Sequence, residues 1–431
     1  MVGLARSGLA AALTLAGLGA RVVGVDGGAV GDEVRAPLEA AGVEVHAHTA
    51  GVDLLPGMRT VVKSPGVPQE AAVLVAARAR GLLVVGELEI AWRLLEQDFI
   101  AVTGSNGKTT TVELIGHVHR EAGMPVIVAG NVGTALTSLP GTLDSGVVVV
   151  CEASSFQLED TELFAPEAAV LLNIAEDHLD RHGTMAAYLA AKLEVFARQA
   201  NEAIAVAPQG LDVEDLGGCA RRVCFGSAPG AELSERSGWL WWDEDRLMAA
   251  DEIRLRGAHN LQNAMAAAAV CLARGIAPAA VRAGLATFAG VAHRLEEIAR
   301  VDGVLYVNDS KATNVASAVV GLQSFDRGIH VILGGRGKGA DFSPLVGPVA
   351  ERCASVQLIG EDAARIAAVL EPAGVALDHA RDLETAVHGA RGRARPGDVV
   401  LLSPACASFD QYDSFEQRGE HFRALVGALG C

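Results

Sequence analysis

The stretch Thr103-Gly-Ser-Asn-Gly-Lys-Thr-Thr-Thr111 holds the densest potential chemistry in this sequence. Gly104 and Gly107, flanking Asn106, let successive backbone N–H groups turn toward one anion. Lys108 can set an ammonium on outer phosphates. Thr109 can offer a hydroxyl to Mg²⁺, and Thr110 stands beside it at a helix opening whose partial positive charge adds to the pull. The general phosphate-loop pattern puts a glycine where Val102 stands, so this loop is a shortened one. The bland alternative is a chance glycine turn with a surface lysine.

Further clusters recur at the ends of apolar runs, where open α/β sheets bind ligands. Glu152 follows Val147–Cys151 and reads as either a Mg²⁺ carboxylate or a solvated strand end. Glu176, Asp177, His178, Asp180 and His182 crowd the segment after Asn173; a single His can join an oxygen-rich Mg²⁺ site, and a charged surface loop is the competing reading. Lys192 sits in an Ala-rich helix, Met185–Arg198, and physics alone marks it as a surface lysine. Asn260 opens a helix and serves either a ligand or only as an N-cap. Asp309, Lys311 and Thr313, in Val307–Asn314, could hold a ribose, a phosphate and a carboxylate. Gly334–Gly339 is a glycine-rich basic turn that includes Lys338. The segment Ser403–Asp410, with Ser408, is followed by Phe415-Glu-Gln-Arg-Gly419.

The elements that must position these residues form three α/β blocks. Residues 1–86 alternate short strands (Arg21–Val25, Val43–His46, Thr60–Lys63, Leu82–Val85) with Ala-rich helices. Residues 87–291 start with a helix, Glu87–Leu95. They hold the phosphate loop between a strand, Phe99–Thr103, and a helix that opens at Val112–Ile115. Strands are expected at Val126–Ala129, Val147–Cys151, Ala169–Asn173 and Ala203–Val206, β-hairpins over Ala220–Arg256, and a helix over Asn260–Ala273. Residues 292–431 restart the pattern with strands at Leu305–Asn308, Ile329–Leu333, Ser355–Ile359 and Val399–Leu402, and helices at Ala316–Gln323, Ala363–Leu370 and Gln417–Leu429. A parallel sheet explains why the strands read as continuous apolar runs.

Composition narrows the class. The length suits about three domains. The formal charge is −17, which repels nucleic acid and argues against a helicase or recombinase. Seven cysteines without a CxxC pair suggest neither a disulfide framework nor a zinc site, and fit a reducing cytoplasm. The apolar run Gly8–Ala20 could pass for a signal peptide. The rival reading is a dinucleotide-type opening: a glycine turn Gly3–Gly8, a helix, then a strand ending at Asp26. That turn should follow a strand, and only Met1-Val2 precede it, which suggests a true start upstream of Met1. No membrane span is expected.

Together the segments GSNGKTT, EASSFQLE, NIAEDHLDRHG, AAKLEVF, GAHNLQNAMAA, HRLE, NDSKATN, GGRGKGADF and SPACASFDQ…FEQRGEHF resemble, in order and over nearly the whole chain, the Mur ligases of peptidoglycan synthesis. The C-terminal motifs are similar to those of the D-glutamate-adding branch. The resemblance implies three domains: a Rossmann-like domain for a uridine diphosphate, a central P-loop ATPase domain, and a Rossmann-like domain for the amino acid. It implies that ATP phosphorylates the alanyl carboxylate of UDP-N-acetylmuramoyl-L-alanine and that D-glutamate displaces the phosphate, in a cytoplasmic monomer. By the same resemblance Lys108 and Thr109 hold phosphates and a Mg²⁺ shared with Glu152, His178 binds a second Mg²⁺, and Lys192 carries a CO₂-derived carbamate. Asn131 and Ser154 meet the muramoyl and diphosphate part, and Arg6, Ser7 and Asp26 the uridine diphosphate. Gly27 and Gly28 depart from the polar residues expected after that acid. Asn260, Arg294 and Asp309 serve ATP; Lys311, Thr313, Lys338, Ser408 and Phe415 frame D-glutamate. ATP reached from two domains implies hinge closure. Another Mur ligase or a folylpolyglutamate synthetase is the sister alternative; a P-loop switch ATPase and a dinucleotide-dependent oxidoreductase are the more distant ones.

Overall fold

Short Val-rich runs become parallel strands at the centre of each sheet of the computed structural model, which describes every residue except 212–215, 229, 256, 338 and 431. The chain divides into two units, Met1–Arg254 with Ala258–Phe288, and Leu255–Gly257 with Ala289–Cys431. The first unit opens with β1 (Val23–Val25), β2 (Glu44–His46), β3 (Thr60–Lys63) and β4 (Leu83–Gly86). β1 pairs in parallel with β2, and β3 with β4. Val2 bridges the two pairs, matched to both Val25 and Lys63, and the backbone N–H of Val2 donates to Val62 O. The segment Met1-Val2 therefore occupies the central position that a first strand holds in such a sheet.

The same unit continues with β5 (Phe99–Thr103), β6 (Val126–Gly130), β7 (Val148–Glu152), β8 (Ala168–Leu171), β9 (Ile204–Pro208), β10 (Arg221–Gly226), β11 (Leu233–Arg236), β12 (Trp239–Trp242) and β13 (Asp245–Ala249). They form one nine-stranded sheet in the order β13-β12-β11-β10-β9-β8-β5-β7-β6. β5 is central and parallel to both neighbours, and all five of its residues are buried. Fully burying a side chain such as Phe99 or Ile100 contributes roughly 1.5–3 kcal/mol, which anchors the strand feeding the phosphate loop. The helices Lys108–Glu121 and Ala258–Ala273 pack against each other, and ten residues of the second, half of them alanines, are buried.

Several local expectations change. The Ala220–Arg256 stretch is not all hairpin: β10 extends the sheet in parallel with β9 and β11, and only β11-β12-β13 run antiparallel. The helix after the phosphate loop starts at Lys108, and the helix bearing Lys192 ends at Leu193 rather than Arg198.

The second unit holds β14 (Glu296–Val301), β15 (Val304–Asn308), β16 (Ile329–Gly334), β17 (Cys353–Ile359), β18 (Ala376–His379) and β19 (Val399–Leu402), ordered β14-β15-β19-β16-β17-β18. All pairings are parallel except that of the edge strand β14. β14 and β18 escape a hydrophobicity reading because both are edge strands with exposed polar positions. Among the described residues no helix is long and apolar enough to cross a membrane.

Candidate active site

Thr103, the last residue of β5, delivers the chain into the phosphate loop. Gly107 caps the helix that follows with φ 87°, and a Cβ there would lie 2.1 Å from Asn263 Oδ1, so only glycine fits. Asn106 and Asn173 clasp the loop: the Asn106 N–H donates to Asn173 Oδ1 (2.9 Å), and Asn173 Nδ2 donates to Asn106 O (3.0 Å). Ser105 Oγ donates to Ala175 O and accepts from Ala175 N–H. These bonds pre-shape the loop and tie it to the Asn173–His182 segment.

Two ammonium groups converge on one carbonyl. Lys108 Nζ donates to Gly104 O (2.9 Å) and Ser105 O (3.0 Å), and Lys192 Nζ donates to the same Gly104 O (2.8 Å). Lys192 is 1% exposed, contrary to the surface reading of its helix. Its Nζ lies 4.5 Å from the centre of the Tyr188 ring, one helical turn earlier, and the Tyr188 hydroxyl meets Ser105 Oγ at 3.1 Å. Burial, then the Lys108 charge, lowers the Lys192 amine from 10.5 to about 7, with Asp177 opposing. A large share of this amine is neutral at physiological pH.

Glu152, at the C-terminal tip of β7, is buried and points into the same region. Its Oε2 accepts from Thr109 Oγ1 (2.8 Å), and its Oε1 from Asn131 Nδ2 (3.0 Å). A carboxylate and a hydroxyl side by side are hard oxygen donors that fit Mg²⁺, and phosphate oxygens can complete such a shell. Among the described residues no three His, Cys, Asp or Glu side chains form a protein-only metal cage. His178 is half-exposed, sits in the left-handed region (φ 52°) and rests its ring 4.7 Å from that of Phe156. Ser154 caps the short helix Ser155–Leu158 through a reciprocal pair with Gln157.

At the amino-terminal turn, Arg6 and Ser7 begin the helix Arg6–Gly17, Arg6 exposed and Ser7 half-buried. Gly8 packs so closely on the turn that a Cβ would lie 1.9 Å from Gly3 O. Asp26 has both oxygens occupied within the turn, accepting from the N–H groups of Leu4 (2.8 Å) and Gly28 (2.9 Å). Ser64 Oγ donates to Gly3 O (2.8 Å) and faces Ser7 Oγ at 3.5 Å, so the Ser64–Pro68 loop borders the same turn.

Asn260 is not the N-cap: the helix already starts at Ala258, and Asn260 Oδ1 accepts from Asn263 Nδ2 (3.2 Å). In the second unit Asp309 is buried at the end of β15, with Oδ2 accepting from Ser403 Oγ (2.7 Å) and Oδ1 from Leu295 N–H (3.2 Å). Burial pushes its carboxyl up to about 7 against those bonds and Arg294. Arg294 itself is exposed. Lys311 Nζ lies 5.5 Å from the Phe415 ring centre, and Thr313 N–H donates to Lys311 O. Ser408 O accepts from the N–H groups of Gln411 and Tyr412. Lys338 lies outside the described residues. Sequence reasoning missed Arg418, whose buried guanidinium donates to Ser310 Oγ, Ser310 O and Cys406 O and so pins the Asp309–Thr313 and Ser403–Ser408 segments. It also missed Tyr188, although its four-residue spacing from Lys192 puts both on one helix face.

Residues 102–271 match the family described as the Mur ligase middle domain, and residues 293–406 the Mur ligase glutamate ligase domain. The chain is 40% identical over 440 residues to the UDP-N-acetylmuramoylalanine–D-glutamate ligase of Koribacter versatilis, covering 99% of this chain and 96% of that one. It is 41% identical over 455 residues to the protein of that name from Pelotomaculum thermopropionicum, covering 100% and 97%. Among solved structures, the UDP-N-acetylmuramate-alanine ligase of Thermotoga maritima shares the fold at a TM-score of 0.59 and 20% identity, over 99% of this chain and 98% of that one.

Proposed function

This chain belongs to the Mur ligase family, and from that premise we propose that it joins D-glutamate to UDP-N-acetylmuramoyl-L-alanine at the expense of ATP, through an acyl phosphate. The observation that carries the reading is the convergence of the Lys108 and Lys192 ammonium groups and the Thr109–Glu152 pair on one loop, in a chain about 40% identical over its length to ligases of that name.

A carboxylate is a poor electrophile, and phosphorylation supplies its leaving group. Bringing it to ATP means bringing two anions together, which the site must offset. Lys108 turns from Gly104 O and Ser105 O toward the β/γ-phosphates, and the loop N–H groups add partial positive charge. Glu152 and Thr109 would hold a Mg²⁺, which would supply charge neutralisation, and His178 would hold a second. In its neutral form the buried Lys192 amine would add to CO₂, its nitrogen lone pair forming the N–C bond and one N–H proton passing to solvent; the carbamate would be an oxygen-bearing anion suited to Mg²⁺. The fit of Lys192 to that role lies in its burial beside the loop and its lowered basicity.

The rest of the assignment follows the family. The segment 1–86 forms a Rossmann-like domain that takes the uridine diphosphate through Arg6, Ser7 and Asp26. The segment 87–291 takes ATP, with Asn260 at the base and Asn131 and Ser154 on the muramoyl side. The segment 292–431 is a second Rossmann-like domain, in which Arg294 and Asp309 serve ATP and Lys311, Thr313, Lys338, Ser408 and Phe415 serve D-glutamate. The protein acts as a cytoplasmic monomer.

The test is an acceptor screen. Protein supplied with ATP, Mg²⁺ and UDP-N-acetylmuramoyl-L-alanine releases phosphate with D-glutamate and not with L-glutamate, lysine or meso-diaminopimelate. Release with another acceptor alone would move the chain to a sister ligase, and release with no acceptor would point to a plain ATPase.

A further inference from the structure

Phe156 lies in the short helix after Glu152, and three side chains from one other segment surround its ring. The Arg181 guanidinium carbon is 4.1 Å from the ring centre, the His178 ring 4.7 Å and the His182 ring 5.3 Å, nearly parallel. Arg181 also reaches across the first unit. Its Nη1 donates to Pro65 O (2.7 Å), and its Nη2 to Val67 O (3.2 Å) and Glu159 Oε1 (2.6 Å). Glu159 is itself 3.7 Å from the ammonium of Lys63, which is fully buried at the tip of β3 and paired with Asp160. The other Glu159 oxygen lies 3.9 Å from His182 Nδ1.

The carbonyls that Arg181 grips belong to the Ser64–Pro68 loop, whose Ser64 borders the amino-terminal anion turn. A guanidinium is a planar fork able to hold two carbonyls and a carboxylate at once while lying on an aromatic face; an ammonium is not. We infer that Arg181 is a positioning residue that couples filling of the amino-terminal nucleotide turn to the placement of His178 beside the phosphate loop, with Phe156 as the platform and Glu159 as the anchor. The inference rests on the ligase reading for the identity of the two ligands. A shift of the Ser64–Pro68 loop moves Arg181, and the one-turn helix Leu179–His182 carries that shift to His178 at its N-cap.

The test measures coupling without turnover. Calorimetric titration of UDP into the full chain, with and without saturating ADP and Mg²⁺, gives the ratio of the two UDP affinities. The wild-type ratio should be about fivefold or larger, within the usual range for coupled sites. In Arg181→Met and Phe156→Leu it should collapse to within about twofold of unity, whatever the affinity of each variant for ADP–Mg²⁺ measured alone, which is titrated separately so that saturation is assured. Arg181→Lys, which keeps the charge but not the fork, should recover only part of the ratio. A purely structural role would lower the unfolding temperature and leave the ratio intact. If Arg181→Met does not fold, Glu159→Gln weakens the same anchor and carries the test. Wild-type protein that binds both ligands without coupling, or variants that keep the wild-type ratio, would overturn the tether alone. Wild-type protein that binds neither ligand would overturn the ligase reading instead.

Discussion

Replacing Lys192 with methionine should abolish ligation and yet stabilise the protein at low pH. The Lys192 amine is lowered from 10.5 to about 7 by burial and by Lys108. At about 1.4 kcal/mol per unit, holding it charged in the folded state costs about 5 kcal/mol. That figure is the net difference between cation and neutral amine, so the bond to Gly104 O and the place over the Tyr188 ring lie within it. Methionine keeps much of the volume and removes the penalty, for a gain of up to about 5 kcal/mol below pH 7. The sign follows from proton linkage. Below pH 7 the lysine is protonated in both states, and the penalty is full. Between about 7 and 10.5 the unfolded chain binds more protons than the folded one, so wild-type stability rises with pH and the penalty shrinks by about 1.4 kcal/mol per unit. The variant's advantage should therefore fall by about 3 kcal/mol between pH 7 and pH 9. Urea unfolding of both proteins at pH 6, 7.5 and 9, in CO₂-depleted buffer, measures this difference and cancels groups common to both. A variant less stable than wild type at pH 6, or an advantage that does not fall with pH, would refute the reasoning.

Two further outcomes follow from single positions. Gly107→Ala forces a side chain into the left-handed region and sets its Cβ 2.1 Å from Asn263 Oδ1. The backbone strain of roughly 1–2 kcal/mol plus a displaced Asn263–Asn260 bond of about 1 kcal/mol should destabilise the protein by about 2–3 kcal/mol and weaken ATP binding; a second change, Asn263→Ala, should leave that deficit in denaturant titration, since it removes the clash but neither the strain nor the loss of the bond. Asp309 is raised to about 7, so the folded state binds the extra proton between about 4 and 7 and loses stability as pH rises through that window. Asp309→Asn should therefore gain on wild type from pH 4 to pH 8 in thermal unfolding, and a pH-independent difference would count against the buried carboxylate as the cause.

Much of this protein was legible in its residue pattern because the relevant physics is local. The run Phe99–Thr103 and the Gly104–Thr109 turn announce a strand, an anion cradle and a helix start, since burial on both faces demands an unbroken apolar strand and the cradle demands glycine. Glu152 was visible for the same reason, at the end of another apolar strand. The antiparallel ribbon β11–β13 was half legible: its polar, tryptophan-bearing residues say β, but whether β10 joins β9 in parallel depends on strands far apart in sequence. Edge strands β14 and β18 were hidden because they bury too little to leave a pattern.

Residue order alone shows which side chains can do chemistry and that they end strands. The state of those side chains is set by folding. Lys192 lies in an Ala-rich helix like any surface lysine; packing against Tyr188 and Gly104 removes its water and changes its basicity. Asp26 reads as a ligand carboxylate, and the fold fixes its orientation by bringing one N–H, from Leu4 and from Gly28, onto each of its oxygens. Arg181 reads as one more charge in a crowded loop until Pro65, Val67 and Glu159 arrive around it. Residue type and spacing are carried along the chain, whereas desolvation and hydrogen-bond partnership come from neighbours many positions away that exist only once the chain has folded.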